Sequence, residues 1–336
     1  MRIEENIPLA TLTTFKTGGP ARFLLSLASE EEVPAAVSFA EEKKLPLIPL
    51  GAGSNMLAPD SGVDAVFVRL ESAHISFHVE NNRLLLTADA GALWDDVVSF
   101  SVEQGAGDIE NLSAIPGTAG AAAMQNIGAY GAALSDVFVS AKAFDMHKKK
   151  WKTFFASECG FGYRTSIFKR EADRYVIASV TLSLTTKPRP NLSYKDLAFR
   201  FQDRAPSLSE IREAVIEIRK EKFPPLSRYG TAGSFFLNPI MSMDESRLIS
   251  QRFPNMPVFP LPEGGIKVPL AWILDQVLAL KGRRIGNAFL WEQQALVIAA
   301  ERGATSEEII SLAHSVSADV FEKTNIRIFP EVRILK

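Results

Sequence analysis

Leu45 to Leu57 reads LPLIPLGAGSNML, a short apolar run opening into Gly51-Ala52-Gly53-Ser54-Asn55. A strand running into such glycines invites a dinucleotide-binding assignment, and the fold turns on whether that assignment holds. Two features argue against it. The third glycine of G-x-G-x-x-G falls at Met56, and the residues beyond it do not form an amphipathic helix pattern. Glu71, about twenty residues on, is one acid in a charged chain. What survives is physical: the glycine N–H groups and the Ser54 hydroxyl are able to cradle a pyrophosphate, with an ordinary turn as the alternative.

Outward from this stretch the first third alternates helix and strand. Ser29-Glu30-Glu31-Glu32 predicts a capping box, followed by a helix with Val33, Ala36, Val37 and Ala40 on one stripe. Val66–Leu70 and Leu84–Thr87 read as strands, with Asn81-Asn82 as a hairpin turn. Ala92–Gln104 reads as a helix facing Leu93, Val97, Val98 and Ser101 inward. Glu110 to Gly131, ENLSAIPGTAGAAAMQNIGAYG, is small and almost uncharged. Either a backbone approaches something closely there or an Ala/Gly helix packs tightly under a loop. Tyr175–Leu184 alternates as a strand, and Thr185 to Asn191, with two prolines, marks a domain boundary. Beyond it, Ser207-Leu208-Ser209-Glu210 opens a helix burying Ile211, Val215 and Ile218. Helices are predicted over Val268–Leu280 and Ser306–Lys323. A closing strand faces Ile326, Ile328, Val332 and Ile334 one way and Phe329, Glu331 and Arg333 the other.

The 336 residues suggest two or three domains, and 46% hydrophobic with 23% charged residues is an ordinary globular composition. A formal charge of -2 gives no electrostatic reason to expect nucleic acid or an acidic membrane as partner. The one cysteine, Cys159, excludes an intrachain disulfide. With no signal-like start and no apolar run of about 18 residues, a cytoplasmic protein is expected. His74 and His78 alternate with Ile75 and Phe77 as on a strand, which sets them about 13 Å apart. That is too far to share an ion, so no metal site is expected.

Three further segments carry chemistry-capable side chains, each with a bland alternative. Arg164 in Gly160-Phe161-Gly162-Tyr163-Arg164 is suited to hold a carboxylate, or to pair with a surface acid. Ser234 lies in Gly230-Thr231-Ala232-Gly233-Ser234 without a nucleophile elbow or a nearby histidine, which disfavours a serine hydrolase. Its hydroxyl, a weak acid, donates a proton only to a strong base such as a carbanion. Glu331 falls on the face opposite the apolar one, a catalytic carboxylate or a solvated strand residue.

Taken in order these segments resemble, along nearly the whole chain, the UDP-N-acetylenolpyruvoylglucosamine reductases of peptidoglycan synthesis (the MurB family). The matching stretches begin with Thr14-Phe15, Thr17-Gly18-Gly19, LGAGSNML from Leu50 and ENLSAIPGTAG from Glu110. They continue through QNIGAYG from Gln125, FGYRTSIFK from Phe161 and AGSFFLNP from Ala232, to LKG from Leu280, QQALVI from Gln293 and PEVR from Pro330.

The resemblance implies an α+β fold in which residues 1–187 form a two-part FAD-binding domain of the vanillyl-alcohol oxidase (PCMH) type, split near residue 70. Residues 188–336 would form an α/β substrate-binding domain whose last strand returns Glu331 to the flavin site. FAD would be held by Thr17, Gly18, Gly19, Gly51, Ala52, Gly53, Ser54, Asn55 and Met56 in the first loops. Ile115, Pro116, Gly117, Gly120, Gln125, Asn126, Gly128, Tyr163 and Arg333 would complete the contacts. No histidine lies in these loops, so noncovalent FAD is expected, in a monomeric enzyme reduced by NADPH. The substrate implied is UDP-N-acetylglucosamine enolpyruvate, reduced to UDP-N-acetylmuramate by hydride transfer to its vinyl carbon. Arg164 and Glu331 would stabilise the enolate and Ser234 would protonate it. Tyr194, Arg219, Lys222, Asn238, Lys281 and Gln294 match substrate-side positions. Leu192-Ser193-Tyr194-Lys195-Asp196 resembles the mobile tyrosine loop of one subtype, although Ser193 and Lys195 depart from its usual residues. Phe289-Leu290-Trp291-Glu292 also departs, where a histidine is common. A nicotinamide dehydrogenase without flavin, or a UDP-sugar binder without turnover, are the competing functions.

Overall fold

The computed structural model describes residues 1–202, 204–261 and 264–336 and divides into two compact units with interleaved segments. The first comprises Met1–Ile7, Ala21–Gly53 and Asp64–Arg219; the second comprises Pro8–Pro20, Ser54–Val63 and Lys220–Lys336.

The first unit is built on two sheets. A five-stranded antiparallel sheet runs in the order Lys150–Phe155, Phe138–Asp145, Tyr175–Thr185, Arg83–Asp89, Ile75–Glu80. Its alternation follows from period-two patterning: Val180, Leu182 and Leu184 are buried, and the residues between them are half-buried. The Asn81-Asn82 turn has φ of 49° and 62°, the left-handed pair that a two-residue hairpin requires and that asparagine tolerates. A four-stranded sheet joins Arg2–Pro8, Pro20–Leu27, Val63–Leu70 and Leu47–Pro49. The helix Val33–Lys43 packs Val33, Ala36, Val37 and Ala40 with residues of both sheets, Leu25 and Val68 from one and Phe144 from the other.

In the second unit the helix Ser306–Thr324 buries Ile309, Leu312, Val316 and Val320 in one core with Ala288, Leu290 and Ile298. Ala288–Leu290 and Ile298–Ala300 are the paired strands that supply those three residues. The Thr305 hydroxyl and the Glu308 carboxylate form a capping box at the helix start.

Several elements differ from the sequence expectation. Ser29 forms no side-chain cap; instead the Glu32 carboxylate accepts from the Ala28 N–H at 2.7 Å, and Glu30–Glu32 forms a 3-10 turn. The second helix begins at Trp94, so Leu93 is 52% exposed at its cap, and Trp94 takes the buried place with Nε1 donating to the Leu112 carbonyl. The helix expected over Val268–Leu280 is one α turn, Leu270–Trp272, running into a π turn, Ile273–Val277, with Pro269 before it and left-handed Ala279 after it. The closing strand is broken: the chain bends at Glu331-Val332 and only Arg333–Ile334 is strand, which leaves Ile334 36% exposed and buries Leu335.

Residues 188–219, beyond the proline-marked boundary, pack in the first unit. There the helix Leu208–Lys222 sets Ile211, Val215 and Ile218 in one cluster with Leu197, Phe201 and Tyr130. No helix among the described residues is long and apolar enough to cross a membrane.

Asp145, at the end of the strand Phe138–Asp145, is buried and accepts Nε and Nη2 of Arg174 together with the N–H groups of His147 and Lys148. The Arg174 hydrogen bond is the main reason that its carboxyl lies below the usual range. A depressed folded value stabilises the fold above the unfolded carboxyl pKa of about 3.9, and that contribution is lost as pH falls through the folded value. Asp145→Asn should therefore lower Tm at neutral pH. In thermal melts the gap from wild type should close as pH drops below about 4.

Candidate active site

Two groups of residues are assembled, one in each unit. In the first, the glycine loop after Leu47–Pro49 lies against the start of the short helix Ala119–Gln125. A Cβ on Gly51 would stand 2.9 Å from Thr118 Oγ1. No helix follows the loop, which passes instead into the two-residue strand Met56–Leu57. That is the feature separating it from a dinucleotide-binding turn. Gly120 meets Ala90, where a Cβ would come 2.8 Å from the Ala90 Cβ. Ala119, Gly120, Ala122 and Ala123 are buried, so of the two alternatives for this segment the tight Ala/Gly helix is present.

The helix ends on left-handed Asn126, whose side chain is fully used: Nδ2 donates to the Gly162 carbonyl and Oδ1 accepts from the Ser135 N–H. Ser166 Oγ donates to the Met124 carbonyl at 2.6 Å. These bonds dock FGYRTSIFK onto QNIGAYG and deliver the guanidinium of Arg164, itself left-handed with φ 55°, to the Gly128 carbonyl. A side chain at Gly128 would crowd that guanidinium, with its Cβ 3.0 Å from Arg164 Nη1. Tyr163 lies beside Arg164, 5.6 Å from ring centroid to guanidinium carbon.

Arg219 donates from Nε to the Ala114 carbonyl at 3.0 Å and bonds Tyr130. Burial is the largest reason that its guanidinium lies below its ordinary value; Tyr130 and Asp95 oppose the shift, and the like charge of Arg164 adds to it. Tyr194 packs edge-on against Tyr130 at 4.9 Å between centroids. The base of its segment is tied down by Asn111, which donates to the carbonyls of Tyr130 and Asn191, and by Asn191, which donates to the Gly131 carbonyl.

In the second unit the decisive element is Phe235. Its N–H donates to the Leu296 carbonyl at 2.7 Å, and its carbonyl accepts from the Glu331 N–H at 2.8 Å. Ser234 is bridged to Val297 on one side, and Phe236 to Pro330 on the other. Ser234 and Glu331, distant in sequence, thus belong to one local hydrogen-bonded array, and both are half-buried. Asn55 Nδ2 donates to the Glu331 carbonyl at 3.3 Å, and the Arg333 N–H donates to the Asn55 carbonyl at 3.0 Å. Parallel pairing of Arg333–Ile334 with Met56–Leu57 continues the array.

Gly18 and Gly19 have packing reasons of their own, since Cβ atoms there would meet Ala58 at 2.7 Å and the Asp60 carbonyl at 2.3 Å. Among the other expected substrate-side residues, Asn238 accepts from the Leu270 N–H and Lys281 pairs with Asp275 at 2.8 Å. Gln294 Oε1 accepts from the Leu296 N–H at 3.4 Å, and Lys222 is half-buried.

Residues 21–148 match the family model of an FAD binding domain, and residues 224–335 match that of the UDP-N-acetylenolpyruvoylglucosamine reductase C-terminal domain. The reductase of that name from Pseudomonas aeruginosa is 36% identical over 335 residues, covering 98% of each chain. The chain belongs to the UDP-N-acetylenolpyruvoylglucosamine reductase family. A second relative of the same name, from Ralstonia nicotianae, is 35% identical over 336 residues and covers 98% of both chains. The crystal structure of the Thermus caldophilus reductase superposes with a TM-score of 0.71 at 23% identity, covering all of both chains, so the α+β fold is that of the reductase family.

FAD fits the residues present. The Thr17 hydroxyl is buried without a hydrogen-bond partner among the described residues, as expected of a donor reserved for a bound group. Gly51 beside the Thr118 cap is exposed and carries no side chain, a backbone arrangement able to take an anion. Sequence reasoning missed Asp95, Arg212, Asn111 and Asn191. Asp95 and Arg212 meet across 117 residues of chain, and the partners of Asn111 and Asn191 lie 19 to 80 residues away apart from Ser193.

Because Gly120 has a packing role, it separates stability from cofactor contact. Gly120→Ala should destabilise the apoprotein by about 1–2 kcal/mol, overpacking against Ala90 exceeding the helix-propensity gain. Urea unfolding without added flavin measures this.

Proposed function

We propose that this chain reduces UDP-N-acetylglucosamine enolpyruvate to UDP-N-acetylmuramate with NADPH, in peptidoglycan synthesis. The observation that carries the proposal is the array around Phe235, which brings the backbone of Ser234 and of Glu331 into one hydrogen-bonded unit in a chain of this family. FAD, when bound, supplies the hydride that passes from NADPH to the vinyl carbon of the substrate.

Every remaining step belongs to the chain. As hydride arrives at the vinyl CH2, electrons move onto the neighbouring carbon and into the substrate carboxylate, giving an enolate. Arg164, a permanent cation fixed against the Gly128 carbonyl, stabilises that charge. Glu331, whose backbone N–H is fixed on the Phe235 carbonyl, is the second residue assigned to the enolate. Ser234 gives its hydroxyl proton to the carbanionic carbon and recovers one from solvent. A serine is a poor acid toward most bases and an adequate one toward this base. Arg219, Lys222, Asn238, Lys281 and Gln294 hold the substrate diphosphate and sugar, with Tyr194 closing over the phosphates. The three-part division, with residues 188–336 as the substrate domain, belongs to the same proposal.

The protein should purify yellow, absorbing near 450 nm (about the flavin band), and oxidise NADPH only when the enolpyruvyl substrate is present. A colourless protein with nicotinamide activity would instead support the dehydrogenase alternative. Ser234→Ala should leave flavin reduction by NADPH within about twofold and slow substrate-dependent flavin reoxidation at least roughly a hundredfold. Stopped-flow absorbance reads both halves, and equal loss in both would exclude Ser234 as proton donor. Glu331→Gln should show a similar or smaller loss in the same half; slowed flavin reduction alone would contradict its assignment.

A further inference from the structure

One charged cluster outside the family motifs reaches the proposed substrate residues through a single turn. Asp95 stands in the first turn of the helix Trp94–Glu103. Its Oδ1 accepts from the Ala114 N–H at 2.6 Å, while its two oxygens take Nη1 and Nη2 of Arg212 at 2.6 and 2.8 Å. Ala114 is left-handed at φ 56°, a conformation an alanine keeps only when its surroundings hold it there. Its carbonyl accepts from Arg219 Nε at 3.0 Å, and Ile115-Pro116-Gly117 follows directly.

As an ion pair the cluster has little to offer stability, because the Asp95 side chain is 38% exposed. What distinguishes it is direction. A bidentate guanidinium fixes the carboxylate plane, the carboxylate fixes one N–H of a strained turn, and the carbonyl of that turn fixes a second guanidinium.

We propose that Asp95, braced by Arg212, is a positioning residue for substrate binding: it holds Ala114 left-handed so that the Ala114 carbonyl sets the Arg219 guanidinium. The proposal rests on Arg219 being a substrate residue, as argued above. Burial pushes the Asp95 carboxyl upward, but the hydrogen bonds from Arg212 and the Ala114 N–H outweigh it, so the acceptor stays charged at neutral pH.

Hydrogen exchange over residues 113–118 and steady-state kinetics, measured on the same FAD-loaded variants, test it. Asp95→Ala should speed exchange of the Ala114 amide about tenfold or more, the consequence of a lost charge-assisted hydrogen bond. It should raise KM for UDP-N-acetylglucosamine enolpyruvate about tenfold, with kcat within about threefold and flavin per chain unchanged. Adding Ala114→Gly to Asp95→Ala should recover most of the KM, since glycine takes a positive φ without a clamp. An unchanged KM, or a lower Tm with no split between KM and kcat and no rescue by glycine, would overturn the proposal. If Asp95→Ala does not fold, Asp95→Asn decides, because the amide keeps an oxygen for the Ala114 N–H. A KM within about threefold of wild type supports the clamp, and about a tenfold rise overturns it. A wild-type protein without flavin or turnover would sink the functional proposal instead, while the exchange rates would still judge the clamp.

Discussion

Phe235 uses its two backbone groups on different partners, and the placement of Ser234 and Glu331 in the second unit depends on that. A buried N–H and a buried carbonyl must both be satisfied. At Phe235 they are satisfied by Leu296 and by Glu331, so the AGSFF segment is held between QQALVI and PEVR. The ring of Phe235 is fully buried and packs against Phe15 and Phe236, which leaves the residue no alternative register. Ser234 and Glu331 are its neighbours along and across the array. Both are placed by the backbone bonds and apolar packing of Phe235, a residue with a purely apolar side chain.

In the first unit the corresponding constraint is the absence of side chains. Gly51 against Thr118, Gly120 against Ala90 and Gly128 against Arg164 are three places where a Cβ would collide. Each admits a close approach, to the Thr118 hydroxyl, to Ala90 and to the Arg164 guanidinium respectively. The small-residue stretch from Glu110 to Gly131 therefore serves packing first. Whatever it offers a cofactor, it offers as backbone exposed because packing has removed the side chains. The two alternatives that the sequence left open for this segment are two aspects of one geometry.

Where the sequence was legible, a local rule and the tertiary structure agreed. Asn81-Asn82 is a hairpin because two asparagines tolerate two left-handed φ values, and Ser207 with Glu210 closes a capping box because the spacing allows nothing better. The motifs of the candidate site were legible because each is contiguous. The failures share a cause as well. The closing strand was expected to alternate through Ile334, but pairing of Arg333–Ile334 with Met56–Leu57 and the bridge from Pro330 to Phe236 pull on either side of Glu331, and the chain bends between them. Periodicity describes an element facing one surface and cannot locate where the partner changes. The π turn at Ile273–Val277 is a failure of the same type, since helical spacing is nearly indifferent to one extra residue per turn.

Charge placement follows the same logic at longer range. Arg219 keeps company with Arg164, and a half-buried guanidinium beside a like charge is costly unless something offsets it. The Ala114 carbonyl and the Tyr130 hydroxyl both bond Arg219 and so orient its guanidinium. Asp95 supplies the opposing charge from behind the Ala114 turn, where its own oxygens are already engaged with Arg212 and the Ala114 N–H. Set one turn back, the same carboxylate stabilises the cation through space.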